Sequence, residues 1–280
     1  MCRMSVLAAT ALALGLAGAS PASAFSFRAK PEPAKVAPTP PPAAVTSPKA
    51  SAEARALAAG LDPLARAAFW AREANLDPTD LEAGLGLARA LRALGQTTEA
   101  AATAQRLAVL APDNVEVLLE LTRAHLARNE GFYGVAPAQQ AETLAPGDWR
   151  APFLLAMAYA QAQRADQAMA AHRRALLLAP DNPAVLSNMA MFQATRGQAD
   201  EAERLLRKAA ALPGASAVIR QNLALILGLQ GRIAEAEALA RQDLPPQLVA
   251  NNLAYLRTAS QGGTASGGAG RSWNAVGSAQ

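Results

Sequence analysis

The side chains that could carry covalent or metal chemistry are few and poorly spaced for it. His125 and His172 are the only histidines and Cys2 is the only cysteine. A thiolate zinc cluster, a CxxC redox pair and a disulfide framework are therefore excluded. Neither histidine has the carboxylate–histidine spacing of a metal site around it. Gly84-Leu85-Gly86-Leu87-Ala88-Arg89 lacks the third glycine of a dinucleotide loop and follows no strand, and the Gly-rich run after Gln261 has no Lys-Ser or Lys-Thr behind it. No nucleophile–base arrangement stands out. The expectation is a non-enzymatic protein with no catalytic residues, no metal and no cofactor.

Residue types suited to recognition are better represented. Asn188 and Asn222 are candidates because an amide can both donate to and accept from an extended backbone. The same two amides could instead bond within their own repeats. Phe153, Met157, Met191 and Leu225 offer apolar surface, with the methionines the most adaptable. Arg89, Arg92, Arg123 and Arg150 add charge. These ten residues are a candidate peptide-binding groove if one set of helices presents them together.

The elements that would do so follow from a ladder of helix ends: Leu76-Asp77-Pro78, Leu110-Ala111-Pro112, Leu144-Ala145-Pro146 and Leu178-Ala179-Pro180. The four prolines are evenly spaced, and their interval is the period of the tetratricopeptide helix-turn-helix repeat, about 34 residues. Asn188 and Asn222 are separated by the same interval, which would stack their amides on successive helices. With the proline at position 32, Ala88, Ala100, Ala156, Ala168, Ala190 and Ala202 fall where the two helices of a repeat cross, and small side chains there permit close approach. His125 and His172 fall at bulky packing positions, and the ten groove candidates fall on the first helix of each repeat. The repeat holding Asn188 has no Lys or Arg at positions 2 and 5, which argues against a clamp for a terminal carboxylate. Asp62-Pro63 has the form of a helix start. With residues 52–59 it makes a degenerate first repeat, as expected at the end of a stack. Pro137, inside a second helix after Gly131-Phe132-Tyr133-Gly134, predicts a late-starting or kinked helix. Asn251 to Leu256 reads as a capping helix.

Composition sets the rest. Residues 1–24 look like a cleavable export signal, with Arg3, an apolar run to Ala19 and Ala22-Ser23-Ala24 as the cleavage site. An uncleaved anchor is the alternative, although the run is short for a bilayer span. Residues 25–50 hold seven prolines and favour an extended linker. Residues 259–280 are Gly- and Ser-rich and predict a disordered tail. The net charge of +4 does not mark a nucleic-acid protein: residues 51–258 carry 20 Lys/Arg against 21 Asp/Glu, and no basic face with interleaved aromatics appears. The predicted fold is all-α, a tetratricopeptide repeat superhelix over residues 51–258 between a disordered N-terminal linker and the C-terminal tail.

The run from Val218 to Leu256 is more particular. Ile219-Arg220-Gln221-Asn222-Leu223-Ala224, Leu227-Gly228-Leu229-Gln230-Gly231-Arg232, Glu235-Ala236-Glu237, Asp243-Leu244-Pro245-Pro246 and Asn252-Leu253-Ala254-Tyr255-Leu256 together resemble the TadD tetratricopeptide proteins of the tight-adherence, or Flp pilus, machinery. The resemblance implies an exported, periplasmic scaffold that helps assemble or localise the outer-membrane secretin of a type IVb pilus. Its expected partners are proteins of that secretion apparatus, with peripheral outer-membrane association through them. Many such proteins are lipoproteins, whereas this chain has no cysteine after its apolar run. The alternative is a binding module of another envelope pathway, such as cytochrome maturation or outer-membrane assembly.

Overall fold

The computed structural model describes residues 48–261, and these form thirteen α-helices. The expected export signal, the linker up to residue 47 and the tail beyond Gln261 lie outside the described residues. Helices α1 (Ala52–Ala58) and α2 (Pro63–Leu76) open the stack. Four full antiparallel pairs follow: α3 (Leu81–Ala93) with α4 (Thr97–Leu110), α5 (Val115–Ala127) with α6 (Gly131–Leu144), α7 (Arg150–Gln161) with α8 (Ala165–Leu178), and α9 (Pro183–Thr195) with α10 (Ala199–Ala211). A shorter pair, α11 (Ala217–Leu229) and α12 (Ile233–Ala240), leads to α13 (Pro246–Gln261).

Local chemistry fixes the helix ends. The Asp62 carboxylate accepts from the backbone N–H groups of Leu64 and Ala65, both at 3.0 Å, so Asp62-Pro63 does start a helix. Asp80, Asn114 and Asn182 cap α3, α5 and α9 in the same way. Each pair then turns at a residue with positive φ: Gly95, Asn129, Gln163, Gly197 and Gly231, which keep the same spacing as the prolines. Glycine adopts this left-handed conformation without cost, asparagine tolerates it, and Gln163 bears its strain in full.

That turn explains why α6 does not start late. Asn129 sets the helix to begin at Gly131, in register with the other second helices, and the helix continues through the buried Pro137 to Leu144. Gly131 is needed because a Cβ there would stand 2.5 Å from Gln161 Cβ and 2.6 Å from the Ala158 carbonyl oxygen of α7. The slip of the ladder at Pro213 is also absorbed locally: α10 ends at Ala211, Gly214 takes a positive φ, and α11 starts one full repeat period after the start of α9. At the end of the stack the helix predicted around residues 251–256 is much longer, because Val249, Leu253 and Leu256 are all buried along it.

The crossing alanines behave as their size requires. Ala88, Ala100, Ala156, Ala168, Ala190 and Ala202 are each 0 % exposed. The core is not continuous, however: beside three smaller clusters over α1 to α5 it has two large ones. One large cluster runs through α5 to α8 and another through α9 to α13. The side chains bridging them are themselves only part-buried: Met169 and Leu176 of α8 reach the second cluster, and Phe192 of α9 reaches the first. From α2 onward, the α8–α9 joint is the slightest between consecutive helices, and α7 and α9 lack the close packing that links α3 to α5, α5 to α7, α9 to α11 and α11 to α13.

Candidate functional site

The first helices of successive pairs bring most of the predicted groove residues onto one run of surface, which divides into two parts. On α3, α5 and the start of α7 it is charged. Arg89 contacts Glu116 at 2.9 Å and Glu120 at 3.7 Å, Arg92 contacts Glu120 at 2.9 Å, and Arg123 reaches the same carboxylate at 3.4 Å. Arg150 bridges Glu116 at 2.7 Å and Asp148 at 2.6 Å. Glu120 is buried, so three guanidinium groups converge on one desolvated carboxylate. Desolvation lowers the Arg123 pKa, and the nearby Glu120 carboxylate opposes that shift. Hydrogen bonds from Arg150 hold the Asp148 carboxyl below the usual carboxylate range. Four arginines against Glu116, Glu120 and Asp148 leave an excess of one positive charge on this surface.

The arginines are legible in the sequence, and their acids are not. Glu116 lies 27 residues after Arg89, and Glu120 lies 28 after Arg92. A search for like positions at the repeat period passes over partners that join one repeat to the next. The pairing also changes what the arginines can do. They hold α3, α5 and α7 in register and present a polarised surface, and none stands as an unpaired anion site.

The second part is an apolar cleft of about 590 Å³ between α7, α8 and α9. Met157 and Ala160 form one wall, Asn188, Met191 and Phe192 the other, and His172 of α8 contributes from below. His172 is 2 % exposed, its ring lies 5.1 Å from that of Phe192, and its Nδ1 has no partner among the described residues. Burial alone pushes its pKa down to about 4, which keeps the imidazole neutral near pH 7. The cleft coincides with the slight joint between the two cores. Phe153, half-buried and edge-on to Trp149 at 5.6 Å, lies on α7 between the charged surface and the cleft.

The two asparagines are partly committed. Asn188 Nδ2 donates to the Ala184 carbonyl at 2.9 Å within its own helix, and Asn222 Nδ2 donates to Ser187 Oγ at 3.2 Å across to α9. They do not stack on each other, and their amide oxygens accept nothing among the described residues. Leu225 is a correction to the predicted groove: it is 9 % exposed and belongs to the α9–α13 core. His172 and Phe192 are among the cleft residues that the predicted groove did not contain.

No group of three or more His, Cys, Asp or Glu side chains arranged to hold a metal ion occurs among the described residues. No described helix is long and apolar enough to cross a membrane.

Residues 150–182, which span α7 and α8, match the family model of the tetratricopeptide repeat. No curated protein matches the chain. Among solved structures, a thermophilic tetratricopeptide repeat protein from Thermus thermophilus is 23% identical with a TM-score of 0.56, covering 64% of this chain and 98% of its own. A tetratricopeptide repeat protein from Parabacteroides merdae is 13% identical with a TM-score of 0.61, covering 74% of this chain and 86% of its own. At these identities the likeness concerns the fold. One period shared by turns and helix ends, small residues buried at every crossing, and these matches lead to one conclusion: over its described residues the chain is folded as a tetratricopeptide repeat solenoid.

Proposed function

We propose that this protein is a non-enzymatic, periplasmic adaptor that binds extended segments of other proteins along α3, α5, α7 and α9, and that it assists assembly or localisation of the secretin channel of a Flp-type pilus. The single observation that carries the binding role is the cleft between α7, α8 and α9. It is an apolar recess flanked by an amide, in line with a charged surface one helix away. A bound segment would seat apolar side chains between Met157 and Met191, and the open Asn188 oxygen would accept from its backbone. Its polar portion would lie over the arginine–glutamate network. The assignment to pilus assembly rests on the resemblance of Val218 to Leu256 to the TadD proteins, and the periplasmic location on residues 1–24.

A crosslinking pull-down from the producing cell tests the binding role. Wild type should capture a defined partner set that Met157→Glu and Asn188→Ala each deplete. Capture unchanged by both substitutions would place binding elsewhere. Deletion of the protein should reduce surface pili and assembled secretin multimers. Undiminished multimers, or partners drawn from cytochrome maturation or outer-membrane assembly, would remove the pilus assignment and leave the adaptor role intact.

A further inference from the structure

The cleft is apolar and open, and the described residues provide nothing to cover it. The chain itself carries a side chain suited to it. Beyond Gln261 the sequence runs through eleven residues, mostly Gly, Ser, Ala and Thr, to Trp273-Asn274-Ala275-Val276. Trp273 is the one aromatic residue in that stretch. Tryptophan buries about 150–250 Å² when enclosed, and methionine walls adapt to an aromatic ring through favourable sulfur contacts.

Topology brings the two together. Helix α13 packs on α11 and α12 in the position of a first helix, so its C-terminal end leaves the stack on the same edge as those of α7 and α9. That edge is the mouth of the cleft, where Gln163, Thr195 and Arg196 stand. From α13 to α9 is two helix-packing steps, about 16–20 Å at ordinary interaxial distances. Eleven residues of Gly/Ser-rich composition span about 17–20 Å in root mean square, and about 36–40 Å at full stretch. The span and the tether match. A matched short tether supplies an effective concentration in the millimolar range, so a Kd of about 1 mM is enough for substantial occupancy.

We infer that, in the absence of a partner, Trp273 of the same chain occupies the cleft between Met157 and Met191, so that a partner segment must displace it. This goes beyond the adaptor role, because the contact is intramolecular and requires no partner.

The test uses the 280-residue chain labelled with ¹⁵N. It contains three tryptophans, and Trp273→Phe identifies the Trp273 indole N–H signal. The expected result is a signal displaced from that of a synthetic peptide covering residues 262–280. Exchange of the indole proton with water should be slowed about twofold or more, as half-occupancy of the cleft requires. Met191→Glu and, from the opposite wall, Met157→Glu should return the signal to the peptide position. Leu177→Glu, at a site 81 % exposed on α8, should not. A wild-type signal that coincides with the peptide and exchanges at the same rate would overturn the inference without any cleft variant having to fold. A displacement that disappears on tenfold dilution would also overturn it, because the occupant would then be a second copy. The pull-down above depends on neither result, so the two readings fail separately.

Discussion

The charged run over α3, α5 and α7 and the apolar cleft between α7 and α9 are built from the same repeat and solve the same problem in opposite ways. In the first, each helix is tied to the next by ion pairs that span repeats, with Glu120 buried under three arginines. In the second, the first helices stand apart, the two cores stop on either side, and the joint is bridged by part-buried Met169, Leu176 and Phe192. The difference shows that a regular period in sequence does not guarantee uniform cohesion. Rigidity here comes from cross-repeat contacts, and where those thin out the same architecture leaves a receptive space.

The largest expected effect comes from removing the acid that organises the charged run. Glu120→Ala leaves Arg89, Arg92 and Arg123 facing one another, and should cost about 3 kcal/mol in denaturant unfolding. A loss below about 1 kcal/mol would mean that solvent already screens the cluster and that the two regions differ little in cohesion. Overpacking on the cleft side comes next. Ala168, fully buried where α7 and α8 cross, should cost about 1–3 kcal/mol when changed to leucine. Melting like wild type would show that the slight joint relaxes to accommodate the extra volume.

The cleft half should respond to mild acid. His172 has a folded pKa of about 4, below its ordinary value near 6.5. Its neutral form is favoured in the fold, so the stability it contributes is fully present above pH 6.5 and is lost as pH falls towards 4. Between pH 7 and pH 5 the loss should be about 2 kcal/mol, and His172→Phe should flatten that slope. An unchanged slope in the variant would assign the acid response to other groups. The smallest effect is at the turn that enters α8. Gln163→Gly relieves a left-handed conformation and should stabilise by about 0.5–1 kcal/mol, with less gain from Asn129→Gly because asparagine tolerates that conformation better. Equal gains at both would indicate that side-chain identity matters little in this turn.

What could be read in the sequence was what is local and recurs. The prolines, turn residues and crossing alanines each act within one repeat, so their spacing locates the helices, and Asp62-Pro63 marked a helix start because capping needs only neighbouring residues. Pro137 does not delay its helix. The start of α6 is set by Asn129 and by the bare Gly131 against α7, and both act regardless of the proline. Glu116 and Glu120 were missed because most of their arginines, Arg89, Arg92 and Arg150, lie in the neighbouring repeats. Leu225 was misplaced because a face position does not reveal that its side chain joins the α9–α13 core. The cleft was only half legible: Met157, Asn188 and Met191 occupy face positions, whereas His172 and Phe192 join them only because α8 and α9 fail to close.

The joint between α8 and α9 also has a mechanical meaning. Helix pairs that touch only their neighbours form links in series, and a tension applied across the stack is borne by every link equally. The link with the least buried contact is the one that parts first. An adaptor held at one end by one partner and at the other by a second would then yield at α8–α9 while both cores stay folded. The cleft would gape under load, so its grip on any occupant would depend on how hard the chain is being pulled.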